Sequence, residues 1–314
     1  MNDKTGINTI GLIGLGLMGQ GIACCLIRYG FHVIAYSRTA SREEEAMAHI
    51  KVSLGKLLDR NIITESEIEG WKERFDYVNS LEDMSDSQFV IETVGESLEL
   101  KKEIYKTIES VVKNDVVIAT NTSGIPISLL QEGLTNKERF IGMHWAEPAE
   151  ITKYLEISPG VGTADYATEV GRQVGIRCDK QPTVLNYDLP GLISNRMMYA
   201  MMREAIHLVE SGVADVETVD RSFRNDIGWW ATICGPFRWM DLTGLPIYAK
   251  VMEGLFSELS NKNSLPDLMK EKVSSGTKFY DYKENEEKEW EDAWMDFAHD
   301  INEITDKYND RLKL

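Results

Sequence analysis

A chain of 314 residues with 43% apolar and 27% charged side chains has the composition of a folded globular protein and the length for two domains at ~100–200 residues each. Its formal net charge of −17 excludes the broad basic surface that tracks nucleic-acid phosphates, so any anionic ligand must be held by local groups. No stretch reaches the ~18–20 apolar residues of a membrane span, and Met1-Asn2-Asp3-Lys4 lacks the basic-then-apolar order of a signal peptide, so a cytoplasmic protein that does not engage membranes is expected.

The first half alternates short β-rich runs with helical stretches. Strands are predicted over 8–13, 32–36, 89–92, 116–119 and 139–144, with helices over 19–28 and 98–112. That rhythm means a parallel sheet with crossover helices. Between the second and third strands, residues 42–75 carry Met47, Ile50, Leu54, Leu57 and Leu58 at helical spacing, then a break at Asn61-Ile62-Ile63-Thr64 and a second helix from Glu65, which reads as a helical excursion from the sheet. After Asp188-Leu189-Pro190-Gly191 the strand signals nearly vanish, so the domain boundary is placed near residue 188, with a dinucleotide-binding domain over 1–188 and a helical one over 189–314. The final segment sets Trp290, Trp294, Phe297, Ile301, Ile304, Tyr308 and Leu312 at alternating four- and three-residue steps, one narrow apolar stripe on an acidic helix that docks on its own domain or on a partner subunit. The 34 residues from Asp281 onward hold twelve acids and five bases, a solvated charged face. Cys24, Cys25, Cys178 and Cys234 show no paired C-x-x-C spacing and, with five scattered histidines, no zinc-ligand pattern; free thiols are expected.

Ile10-Gly11-Leu12-Ile13 runs straight into Gly14-Leu15-Gly16-Leu17-Met18-Gly19 and an apolar helix, so the glycines occupy a strand-to-helix turn. Gly14 permits the tight turn, Gly16 lets backbone N–H groups approach a pyrophosphate, and Gly19 allows close helix–strand packing. The helix N-terminus supplies positive potential, so no basic side chain is needed. An acid is expected about 20 residues on, to bind the ribose 2′-hydroxyl. Here the second strand ends Tyr36-Ser37-Arg38-Thr39 instead, and Ser37 and Arg38 can donate charge-assisted hydrogen bonds to a 2′-phosphate. NADP is therefore favoured slightly over NAD, unless Arg38 turns to solvent or pairs with Glu43 or Glu44.

Two later loops collect polar groups: Thr120-Asn121-Thr122-Ser123-Gly124, and Gly142-Met143-His144-Trp145-Ala146-Glu147-Pro148. Ligands of open α/β sheets bind at such carboxyl ends of strands. Glu156 lies twelve residues past His144, in a β-like run that can return alongside. A neutral imidazole can take a hydroxyl proton while hydride leaves carbon, with the carboxylate fixing its tautomer. Spacing alone leaves His144 open between a catalytic base and a structural histidine.

These residues resemble the L-3-hydroxyacyl-CoA dehydrogenase family from Gly11 to about Tyr282. The resemblance is carried in order by Gly-Leu-Gly-Leu-Met-Gly-Gln-Gly-Ile-Ala from Gly14, Val90-Ile91-Glu92 with Glu96 and Lys101, Asn121-Thr122-Ser123, Gly142-Met143-His144, Leu155-Glu156-Ile157, Pro190-Gly191-Leu192-Ile193-Ser194-Asn195-Arg196, and Gly235-Pro236-Phe237. It implies His144 as base, Glu156 as its partner, Ser123 and Asn195 on the substrate oxygen, and Glu96 and Lys101 near the cofactor. Asn195 can alternatively be a helix cap. Asn121, Leu17 and Met18 belong to the same cofactor-binding set. Two departures stand out. The family follows its histidine with aromatic-aromatic-Asn-Pro, whereas Trp145-Ala146-Glu147-Pro148 puts a carboxylate where an amide is expected. Gly228-Trp229-Trp230-Ala231 is more similar to the branch acting on free hydroxy acids, carnitine dehydrogenases and lambda-crystallin-like gulonate dehydrogenases, and the Trp pair is either core or a pocket wall. Lys51, Lys56 and Arg60 are candidates for CoA contacts or solvated charges.

The expectation is thus an α/β protein, a Rossmann-type doubly wound parallel sheet followed by an all-helical C-terminal domain. It interconverts an L-3-hydroxyacyl-CoA and its 3-oxo form with NAD(P), and dimerises through the apolar faces 197–208 and 290–312 of the helical domain. The alternatives are a dehydrogenase of a free 3-hydroxy acid and a catalytically silent dinucleotide-binding protein; an intact His144–Glu156 pair disfavours the latter, since binding alone needs no base.

Overall fold

A computed structural model describes residues 6–312; the N-terminal Met1-Asn2-Asp3-Lys4 lies outside them, as do Thr5, Lys313 and Leu314. The chain divides into two compact units, Met1–Leu192 and Ile193–Leu314. In chain order the first contains β1 (Thr9–Ile13), α1 (Leu17–Arg28), β2 (His32–Tyr36), α2 (Arg42–Asp59), α3 (Glu65–Ile68), β3 (Phe75–Val78), β4 (Phe89–Glu92), α4 (Leu98–Val111), β5 (Val117–Thr120), α5 (Ile127–Leu130), β6 (Phe140–Trp145), β7 (Tyr154–Pro159), α6 (Asp165–Arg177) and β8 (Gln181–Val184).

One eight-stranded sheet has the order β3-β2-β1-β4-β5-β6-β7-β8. The first six strands pair in parallel, the doubly wound order whose direction reverses beside β1. β7 then runs antiparallel to β6, and β8 pairs in parallel with β7. Strands covered on both faces must be apolar on both, and β4 and β5 are buried at every position. Ile10, Leu12, Met143 and Trp145 join Ile22, Leu26, Ile50 and Val174 in the core under α1, α2 and α6. Ile13, Val90, Ile118 and Phe140 join Ile104, Tyr105 and Ile108 under α4.

The excursion 42–75 departs from its expected form. α2 is a full helix, but the second helix shrinks to the single turn α3, closed by a capping box between Thr64 and Glu67, and Phe75 opens a strand. β3 is an edge strand of four residues with only Phe75 buried, too short and too polar for a periodic signal. β8, the opposite edge, is largely exposed and includes Pro182, as an edge strand tolerates.

The second unit is helical: α7 (Ser194–Glu210), α8 (Val216–Asn225), α9 (Ile227–Ala231), α10 (Gly235–Thr243), α11 (Leu245–Leu255), α12 (Asp267–Ser275) and α13 (Glu286–Leu312). Trp230 stacks on Trp239, ring centroids 5.5 Å apart, while Trp229 is exposed. Glu210 ties the start of α12 and the segment before it to α7, accepting from Leu268 N at 2.9 Å and pairing with Lys262 at 3.2 Å. Among the described residues of this unit, only Ala298 and His299 are buried, and Trp290, Trp294, Phe297, Ile304 and Leu312 of the α13 stripe are all about half exposed.

Candidate active site

The glycine turn sits at the point where the strand order reverses. Gly14 N donates to Tyr36 O of β2, and Thr93 N donates to Ile13 O, so the turn is fixed between the ends of β2 and β4. Gly14 has φ +99°, and a Cβ there would lie 2.8 Å from Thr93 O; a Cβ on Gly19 would lie 2.0 Å from Gly14 O. Neither position admits a side chain. Beside Gly16, which caps α1, no atom lies within 4 Å of where a Cβ would stand. The cradle is thus closed on the protein side and open on the other, which fits a pyrophosphate held by backbone N–H groups. Leu17 is exposed at the mouth and Met18 packs on the core. Ser37 is held by Tyr77, whose hydroxyl donates to the Ser37 carbonyl at 2.8 Å. Arg38 is exposed and has no hydrogen bond or ion pair among the described residues, so it pairs with neither Glu43 nor Glu44.

The carboxyl ends of β4, β5 and β6 are tied together by side chains. Asn121 accepts from Trp145 N at 2.9 Å and donates to Thr93 Oγ1 at 3.3 Å. Below it, Glu92 and Lys101 are both fully buried, with Nζ 2.8 and 2.9 Å from the two carboxylate oxygens, and Glu92 also accepts from Thr120 at 2.8 Å and from Tyr105. Burial first, and the Glu92 charge second, push the Tyr105 phenol well up. Lys101 reaches Glu96 at 3.7 Å, and a single oxygen of Glu96 accepts from Thr122 Oγ1 at 2.5 Å and from Ser123 N and Gly124 N at 3.0 Å each. Burial alone raises the Glu96 carboxyl, but the Thr122 hydroxyl, the Lys101 ammonium and the two amides together hold it below its ordinary value. Glu96 and Lys101 therefore set the shape of the 122–124 turn.

That turn presents Ser123 to His144, Oγ to Nε2 at 3.2 Å. His144 and Glu156 are opposite one another in the antiparallel β6–β7 register, and both are buried. Their direct separation is 3.8 Å, from Nδ1 to Oε2; Tyr154 Oη lies 2.9 Å from Nδ1 and 2.6 Å from Oε2. Sequence reasoning passed over Tyr154, which only the strand period marks, two residues before Glu156 and so on the same face. It also missed Asp188, which accepts from Ser128 N at 2.7 Å and Ser128 Oγ at 3.1 Å and holds the segment after β8 against α5. A shallow depression beside Ser123 is lined by residues of 122–127 and by Asp188, Leu189, Gly191 and Leu192.

After β6 the chain passes through the cis Glu147–Pro148 bond, and the buried Lys180 donates to the carbonyls of Ala149 and Thr152. Burial would raise the Glu150 carboxyl, but the bonds from His49 and Ser53 leave it below the ordinary value. Partial shielding, and then the Glu150 charge, push the Glu147 carboxyl up, with His49 opposing. Asn195 stands in the first turn of α7, in the second unit.

The fold, the cradle and the matches that follow define a nicotinamide dinucleotide-dependent oxidoreductase acting on CH–OH groups. The chain belongs to the 3-hydroxyacyl-CoA dehydrogenase family: residues 9–188 match its NAD binding domain and residues 191–283 its C-terminal domain. It is 35% identical over 269 residues to 5-formyl-3-hydroxy-2-methylpyridine 4-carboxylate 5-dehydrogenase of Mesorhizobium japonicum, covering 86% of each chain. It is 30% identical over 280 residues to a probable 3-hydroxybutyryl-CoA dehydrogenase of Deinococcus radiodurans, covering 87% of this chain and 99% of that one. The crystal structure of a 5-formyl-3-hydroxy-2-methylpyridine 4-carboxylic acid 5-dehydrogenase, an NAD+ dependent dismutase, superposes with a TM-score of 0.89 at 31% identity, over 96% of this chain and 99% of that one. That of (S)-3-hydroxybutyryl-CoA dehydrogenase from Ralstonia eutropha gives 0.74 at 29% identity, over 88% and 100%. Among the described residues, no helix is long and apolar enough to cross a membrane.

Removing the ammonium from the buried Glu92 leaves a carboxylate whose charge is unpaired. Lys101→Ala is expected to destabilise the first unit by about 3–5 kcal/mol, read as a lowered urea midpoint with an unchanged m-value; a loss below about 1 kcal/mol would mean that water or another cation replaces Nζ.

Proposed function

We propose that the chain interconverts an L-3-hydroxyacyl-CoA, of the 3-hydroxybutyryl type, and its 3-oxo form, with His144 as general base. The observation that carries this reading is the buried imidazole set between Ser123 and the Tyr154–Glu156 pair at the carboxyl end of the sheet. Gly14, Gly16 and Gly19 with the head of α1 hold the pyrophosphate, Leu17 and Met18 border it, and Asn121, Glu96 and Lys101 keep the loop beside the nicotinamide in shape. A nicotinamide held there would supply the hydride acceptor. His144 Nε2 takes the hydroxyl proton, Glu156 stabilises the resulting imidazolium, and Ser123 donates to the substrate oxygen as it becomes a carbonyl. Asn195 is assigned to the same oxygen through its match to the Pro190–Arg196 motif. His144→Gln keeps the size but removes the base; it should retain cofactor affinity and lose about 10²–10⁴ in kcat, and turnover like the wild type would eliminate this mechanism.

A second reading, a substrate without CoA, is favoured by the higher TM-score against the pyridine-carboxylate enzyme. Glu147 in place of the family's amide suits a cationic or hydroxylated substrate group beside it. A panel of 3-hydroxyacyl-CoAs, free hydroxy acids and hydroxymethylpyridines, followed by nicotinamide absorbance, separates the two: turnover of thioesters alone supports the first reading, and of free substrates alone the second.

NADP is the proposed cofactor. Arg38 is exposed with no protein partner among the described residues, Ser37 replaces the acid, and both follow the strand end that borders the glycine turn. Charge-assisted bonds to phosphate are worth ~1.5–3 kcal/mol each, so Arg38→Ala should raise KM for NADP about 10–150-fold and leave that for NAD nearly unchanged. Ser37→Asp should reverse the preference; equal effects on both cofactors would refute the assignment.

A homodimer through the helical unit is proposed because that unit buries so little by itself. Apolar helical faces left open to this extent need a covering surface. Light scattering at micromolar concentration should give twice the chain mass of 35.6 kDa, and a monomer would contradict it.

A further inference from the structure

We propose that Tyr154 is a positioning residue interposed between His144 and Glu156, a phenol link that sets the imidazole tautomer and carries the influence of the carboxylate to it. The proposal rests on the reading of His144 as the base. At 3.8 Å the direct Nδ1–Oε2 separation is too long for a hydrogen bond, whereas the two legs through Tyr154 Oη, 2.9 and 2.6 Å, are both within range.

The arrangement follows from the strand register. Glu156 is opposite His144, and Tyr154, two residues earlier, is its diagonal neighbour on the same face. The Tyr154 ring meets the imidazole edge-on, at 5.6 Å between centroids and 87° between planes. A phenol has one proton, and an ionised carboxylate only accepts. The 2.6 Å leg therefore takes the phenolic proton, leaving Oη with lone pairs alone toward His144. Nδ1 must then carry the imidazole proton, and Nε2 of the neutral ring holds the lone pair that faces Ser123 Oγ at 3.2 Å. Nε2 is the nitrogen the proposed reaction needs as acceptor.

Several polar groups near this end of the sheet are already engaged. Thr120 of β5 bonds Glu92, Glu96 bonds the 122–124 turn, and Asp188 bonds Ser128 of α5. On the opposite face of β6, α6 contributes Ala167 and Val174 to the apolar core. When Nε2 gains the substrate proton, the new positive charge is therefore met through Nδ1–H, the phenol oxygen and Glu156.

The decisive measurement on the wild-type protein is the nitrogen NMR signature of neutral His144. A ring protonated at Nδ1 is expected; one protonated mainly at Nε2 overturns the proposal without any variant. In Tyr154→Phe the midpoint of the rise of kcat/KM with pH should move to lower pH by about one unit, because the imidazolium loses its acceptor, and kcat should fall about tenfold or more with KM nearly unchanged. Glu156→Gln should lower kcat strongly in the wild type and little in Tyr154→Phe, since the carboxylate acts through the phenol. An unmoved pH profile, or losses that simply multiply, would leave Tyr154 a packing residue and refute the link. If the wild type oxidises no hydroxylated substrate at all, the functional reading falls, while the tautomer measurement still decides the role of Tyr154.

Discussion

The antiparallel pairing of β6 with β7 is the constraint from which the candidate site follows. Side chains on a strand alternate between faces, so a slip of one residue in that ladder would turn Tyr154 and Glu156 away from His144 together. Register is held by burial along the pair and by the loop that joins it. Behind the strands, Met143, Trp145, Leu155 and Ile157 are buried in the core, and their burial would be lost in the slipped arrangement. After β6, Lys180 binds two carbonyls of the connecting loop, so the chain re-enters the sheet at a defined residue.

A second layer of order comes from buried polar groups that satisfy one another. Parallel strands end with unpaired backbone groups, and three ends meet where a ligand would sit. Asn121 uses both its amide atoms to join them, and the Glu92–Lys101 pair beneath carries the order outward to Glu96 and the 122–124 turn. A buried ion pair contributes little net stability compared with well-packed apolar residues. Its value here is geometric, because it fixes the turn that orients Ser123 toward the imidazole.

The two units differ in how they are stabilised. The first has apolar cores on both faces of its sheet. The second has helices with apolar stripes but almost no closed interior among its described residues. Trp230, one of the two adjacent tryptophans, stacks within the unit, so at least half of that signal is packing.

What the amino-acid sequence determined by itself was the strongly patterned local structure. The glycine turn at 14–19 was legible because sterics demand glycine there, and the strand–helix alternation because burial on both faces imposes a pattern within a dozen residues. His144 and Glu156 were legible as candidates through motif and family resemblance. The tertiary structure alone decided the rest. β3 and β8 exist because a neighbouring strand offers its edge to four residues whose own pattern is weak. Tyr154 lies between His144 and Glu156, and Lys101 under the loop, because register and crossover bring together groups that sequence separates. Such contacts depend on distances between elements, which no periodicity within one element encodes.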